Sequence, residues 1–115
     1  LNELPKEIGN LTQLKDLKLG CNHLTGLPKE IGNLKQLEIL TMWQNEITEL
    51  PPEIGNLKQL KGFSIWGNPL VEFPQEIVNL TELKKIELGK NLRFSKLQKE
   101  WIKKLQQDGC DVSYT

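Results

Sequence analysis

The sequence predicts an α/β solenoid: a curved right-handed coil with a parallel sheet on its concave face and short helical segments on its convex face. A helix–strand cap is expected after it. Three observations carry this prediction. A 23-residue unit recurs end to end, without insertion, in four copies from Leu4. Within each copy, apolar residues alternate at period 2 and then recur at i, i+3, so a strand and a helical turn share one core. After Ser95 the pattern gives way to a single amphipathic helix.

The copies read "LPKEIGNLTQLKDLKLGCNHLTG" from Leu4, "LPKEIGNLKQLEILTMWQNEITE" from Leu27, "LPPEIGNLKQLKGFSIWGNPLVE" from Leu50 and "FPQEIVNLTELKKIELGKNLRFS" from Phe73. Pro5, Pro28, Pro51 and Pro74 open the convex segment, where a fixed φ and a missing donor are tolerated. Glu7, Glu30, Glu53 and Glu76 follow, where the positive end of a short helix favours an anion. Ile8, Leu11 and Leu14, with their counterparts, face the core from the convex side. Leu17 and Leu19 and their counterparts face it from the sheet. Successive strands stack in parallel through right-handed crossovers. Asn22, Asn45, Asn68 and Asn91 follow each strand, and their amides are expected to form a ladder to the turn backbone, whose polar groups otherwise lack partners.

The spacing L-x-x-L-x-L-x-x-N-x-L appears as Leu14, Leu17, Leu19, Asn22 and Leu24, and again in the next two copies. It is the signature of the leucine-rich repeat. The unit resembles the 23-residue repeats of bacterial surface and secreted proteins, those of spirochaetes in particular. It is also similar to the plant and animal intracellular family that binds small GTPases. The resemblance covers residues 1–95 and implies protein binding without catalysis. On the bacterial side it implies a secreted or cell-surface location in contact with host proteins, favoured over a cytoplasmic one. On the other side it implies an intracellular signalling scaffold. A substrate-recognition arm of a larger enzyme is a third reading.

Residues 96–115 read as the cap. Ser95 and Gln98 have capping-box spacing. Leu97, Trp101 and Leu105, with Ile102 beside them, make one apolar face. Asp108 and Gly109 end the helix. Cys110, Val112 and Tyr114 alternate as a fifth parallel strand. Arg93 stands where Leu24, Ile47 and Leu70 stand in the earlier copies, so Leu92 or Phe94 is expected to supply that apolar contact. At the other end, Leu1 to Leu4 align with Leu24 to Leu27, the tail of a preceding unit. The first rung is therefore expected to have an open apolar side, met by further repeats or by self-association through that rung.

With Leu17 and Leu19 inward, alternate residues point onto the concave face. Three columns follow: Asp16, Ile39, Gly62, Lys85; then Lys18, Thr41, Ser64, Glu87; then Gly20, Trp43, Trp66, Gly89. Trp43 and Trp66 should stand side by side, flanked by glycine, in an apolar hollow beside Ile39. Asp16, Lys18, Lys85 and Glu87 give the outer rungs mixed charge, with Thr41 and Ser64 between. Such an aromatic centre in a polar rim fits a protein-binding hot spot. Two other readings stay open: the rings stack as a cross-strand pair that needs no ligand, or a sugar lies against an indole.

Composition narrows the remainder. The chain has 115 residues, the size of one domain, with fifteen basic and fifteen acidic side chains. That balance gives no basic stripe for nucleic acid, and no apolar run reaches the roughly 18 residues of a membrane span. His23, the single histidine, has no metal-spaced partner. Cys21 and Cys110 lie in layers about 19 Å apart by strand spacing, beyond disulfide reach. No phosphate loop or catalytic carboxylate pair stands out. The sequence reading is a non-enzymatic binding module without a cofactor.

Overall fold

The computed structural model describes residues 2–114. Five parallel strands stand in chain order in one sheet: β1 (Asp16–Lys18), β2 (Ile39–Thr41), β3 (Gly62–Ser64), β4 (Lys85–Leu88) and β5 (Asp111–Tyr114). Across the first four, every Cα partner lies 23 residues on, as in Asp16↔Ile39↔Gly62↔Lys85. The columns read from the repeat are thus the columns of the sheet. Pairing continues past the formal strands, since the Cys21 and Gln44 amides donate to the carbonyls of Trp43 and Trp66 at 3.1 and 3.0 Å. The tryptophans therefore stand on a fixed backbone.

The convex side carries 3₁₀-helices η1 (Lys6–Asn10), η2 (Lys29–Asn33), η3 (Pro52–Asn56) and η4 (Gln75–Asn79). Five residues are too few for a cooperative α-helix, and the tighter i→i+3 turn satisfies the backbone sooner. The four prolines occupy the cap position, extended at ψ near 150°, rather than the first helical residue. Between these layers lies a continuous core, in which Ile31, Leu34, Leu37, Leu40, Met42 and Ile47 of the second copy are fully buried. In the first copy Leu11 is 52% exposed, whereas its counterparts Leu34 and Leu57 are sealed. Ile8, Leu14 and Leu17 are half-buried.

Adjacent 3₁₀-helices approach so closely that only glycine fits between them. A β-carbon on Gly9 or Gly32 would stand 2.9 Å from the next rung's glutamate Cβ and carbonyl oxygen, and one on Gly55 would stand 2.5 Å from the Glu76 carbonyl oxygen. The fourth copy has Val78 at this position. It faces no further 3₁₀-helix; α1 (Lys96–Gln107) is packed against η4 instead.

The asparagine ladder forms and then breaks. Asn45 Oδ1 accepts the Leu24 amide at 3.1 Å, while its Nδ2 donates to the Leu19 carbonyl at 2.8 Å and the Met42 carbonyl at 3.1 Å. Asn68 repeats the pattern one rung on. Asn22 donates to Leu19 and Gly20 of its own turn. Asn91, expected to be the last member, is exposed and makes no side-chain hydrogen bond among the described residues. By the pattern of Asn45 and Asn68 its oxygen would take the Leu70 amide of the preceding rung, but the fourth copy leaves the repeat path here, with Arg93 in the place of Leu24, Ile47 and Leu70. Leu92 and Phe94 both pack on the core there, Phe94 lying 6.3 Å from the Phe73 ring.

The helix corrects two expectations. Ser95 caps α1 by accepting the Gln98 amide at 3.2 Å, but Gln98 does not return the bond. Its side chain donates instead to the Phe73 carbonyl at 2.9 Å and is buried. The inward face is therefore Gln98, Trp101, Ile102 and Leu105, and Leu97 is 43% exposed. Using Gln98 to anchor the helix rotates Leu97 outward by one helical step of about 100°. Gly109, at φ +91°, turns the chain into β5, where Cys110 is buried and Tyr114 exposed.

Candidate functional site

The concave face is built from the outward residues of four short strands, and the structure brings its predicted centre together. Trp43 and Trp66 are half-buried, outside the core, with ring centroids 5.6 Å apart and planes 7° from parallel. This is an offset stack, worth about 0.5–1.5 kcal/mol beyond burial.

The stack has a direction that the one-dimensional pattern conceals. A β-carbon on Gly20 would fall 2.5 Å from Trp43 Cε2 and 2.7 Å from Cζ2, so the indole lies directly over that glycine. On Gly89 a β-carbon would meet, among the described residues, only the Trp66 Cα, at 3.9 Å. Both rings lean toward the first rung. The flanking glycines are unlike: Gly20 is the floor beneath a ring, and Gly89 opens a bay behind the outer face of Trp66.

The surrounding residues divide. Ile39 is exposed, and the space above Gly62 is open apart from Ile39 Cγ1 at 3.8 Å, which gives the expected hollow. Thr41 is half-buried, and Lys85 is exposed. Asp16 and Lys18, which alternate onto the same face, pair with each other at 3.5 Å; exposed pairs of this kind contribute little. Glu87 is half-buried. Ser64 departs from the expected exposed column. It is 2% exposed, and its hydroxyl finds no partner. Its register neighbours Thr41 and Glu87, and Trp66 two residues on, are all larger, so the short side chain lies beneath them. It is not available as a contact in this arrangement.

Other chemistry lies apart from the indoles. His23 Nδ1 lies 3.1 Å from Glu46 Oε2, both exposed. Among the described residues no group of three or more His, Cys, Asp or Glu side chains is placed to hold a metal. Both cysteines are free. Burial pushes the Cys110 thiol pKa up, Asp111 adds to the rise, and Lys84 opposes it. A hollow of 560 Å³ runs along the repeat edge through residues 25–27, 48–52 and 71–74 and is lined by neither Trp43 nor Trp66. No described helix is long and apolar enough to cross a membrane.

Comparison with known proteins gives the following. A family described as a leucine-rich repeat region matches residues 2–107. The structure of a leucine-rich repeat protein of Leptospira interrogans is similar over 97% of this chain, with a TM-score of 0.83 and 39% identity. The chain spans 28% of that protein. A chain in the octameric complex of Latrophilin 3, Unc5D and the leucine-rich repeats of FLRT2 is similar over 96% of this chain and 35% of its own length, with a TM-score of 0.71. At 22% identity that likeness concerns the fold alone. Comparison with curated proteins returned no match.

Proposed function

We propose a protein-binding role for this chain from one premise: it belongs to the leucine-rich repeat family. Stacked repeats of this kind present an extended concave surface suited to recognition. The observation that carries the reading is the parallel indole pair, half-buried, held on a hydrogen-bonded backbone and turned away from the core. Rigid aromatic anchors lose little conformational freedom on being covered and dominate the energetics of many interfaces. Ile39 and the open space above Gly62 extend the apolar centre, while Lys85 and Glu87 supply a charged margin.

The partner is a protein that covers Trp43 and Trp66. The place of encounter is extracellular or on a cell surface, as the likeness of the repeat unit to those of bacterial surface and secreted proteins implies. Protease treatment of intact producing cells checks the location; a chain protected until lysis would remove it. For the face itself, a double Trp43→Ala, Trp66→Ala variant should bind the partner at least about thirty-fold more weakly, as expected for a loss of about 2 kcal/mol. Undiminished affinity in that variant, with the fold intact by circular dichroism, would remove the concave face as the contact.

A further inference from the structure

We propose that the bay above Gly89 is an arginine slot, in which a partner's guanidinium lies flat on the outer face of Trp66 and pairs with Glu87. The inference rests on the protein-binding reading above and specifies what the partner must present. Trp43 occupies the space over Gly20, and Trp66 is stacked parallel to it. One rung further, the same position is glycine, and among the described residues beyond its chain neighbours only the Trp66 Cα lies within 4 Å of a β-carbon placed there. The ladder of planar groups thus has a vacant third place, one strand spacing deep, about 4.8 Å, with an aromatic wall on one side.

The charge beside this place is negative and unanswered. Glu87 lies on β4 and Gly89 directly follows that strand, two residues on, so by alternation both face the concave side. Glu87 is half-buried, and its carboxylate forms no ion pair among the described residues. Its register neighbours on both sides are serines, Ser64 and Ser113, so no cation stands next to it across the sheet. Lys85 is one alternation away and lies opposite Asp111. Lys90 is exposed in the following turn. A neutral aromatic ring in the bay would cover the carboxylate without answering its charge, which is costly. A planar cation answers both surfaces, stacking on the indole face and forking onto the carboxylate. Ammonium is compact and strongly hydrated and matches neither plane.

The test is a titration of the isotope-labelled chain with N-acetyl-arginine amide, N-acetyl-lysine amide and N-acetyl-tyrosine amide, reading the two indole Nε1–H resonances on the concave face by NMR. The arginine probe should shift the Trp66 resonance saturably, several-fold more tightly than the other two. Glu87→Gln should weaken it about five-fold, and Gly89→Leu, which fills the bay, should abolish it. Equal binding of the tyrosine probe, or arginine binding indifferent to Glu87→Gln, would overturn the slot. Against a protein partner, loss of affinity in the double tryptophan variant but in neither Glu87→Gln nor Gly89→Leu would leave the concave-face reading standing and the slot refuted. Full affinity in all three would refute both.

Discussion

Replacing Gly20 by alanine puts a methyl group where the Trp43 indole now lies. The added carbon would stand 2.5–2.9 Å from three ring carbons, inside any tolerable van der Waals distance, so the ring must swing off its floor. Swinging away forfeits the stack with Trp66, about 0.5–1.5 kcal/mol, and leaves strain of about 1 kcal/mol where the ring cannot clear fully. The control is Gly89→Ala, whose methyl meets only the Trp66 Cα at 3.9 Å. Neither glycine uses left-handed backbone, so both substitutions gain the same restriction of the unfolded chain, about 0.4–1 kcal/mol. That gain cancels in the comparison. Gly20→Ala should therefore be less stable than Gly89→Ala by about 1.5–2.5 kcal/mol in urea unfolding. It should also lose the near-ultraviolet signal of the coupled indoles, which Gly89→Ala should retain. Two variants alike in both readouts would show that the rings do not lean toward the first rung, and the bay above Gly89 would disappear with that orientation.

Further expectations concern the scaffold. Asn68→Ala should destabilise by about 3 kcal/mol, because the buried Ile47 amide and the Met42 and Ile65 carbonyls lose their partner. Asn91→Ala should fall within about 0.5 kcal/mol of wild type, and comparable losses at both sites by chemical denaturation would refute the broken ladder. Gly55→Ala should cost about 2 kcal/mol or more through the clash with the Glu76 carbonyl; thermal melting reads it, and a neutral outcome would deny the close approach. A thiol reagent should modify Cys21 in the native chain and Cys110 only on unfolding; two equally fast thiols would contradict the burial. The raised Cys110 pKa means that the folded chain holds this proton more tightly than the unfolded chain does. Its contribution is intact below the ordinary thiol range and is lost as pH climbs through the raised value. Cys110→Ala should flatten the alkaline decline in stability, and an unchanged slope would assign it elsewhere.

Sequence periodicity reached the sheet register and the adjacency of Trp43 and Trp66, because side chains in a strand alternate strictly and the 23-residue offset leaves one pairing. It could not reach the lean of the rings. That depends on which glycine an indole covers, and Gly20 and Gly89 look alike in a column of letters. Alternation turns Ser64 outward and so predicts exposure; its burial follows from the size of its neighbours, which alternation ignores. Gln98 matched a capping box by spacing, yet the orphaned Phe73 carbonyl competes for its amide and wins. The need for glycine at positions 9, 32 and 55 was legible in principle. Three identical "IGN" triplets followed by "IVN" signal a close approach that the fourth copy does not have.

That last contrast governs how the array can be lengthened. The three junctions closed by Gly9, Gly32 and Gly55 are interchangeable, so an extra 23-residue copy spliced between the second and third should seat on both neighbours and extend the coil. A duplicate spliced after the fourth would meet the Val78 isopropyl group where its own glutamate backbone must pass, and would be expelled unless Val78 were first trimmed to glycine. One side chain thus acts as a stop mark, separating a stretch of sequence that can be copied freely from one that cannot.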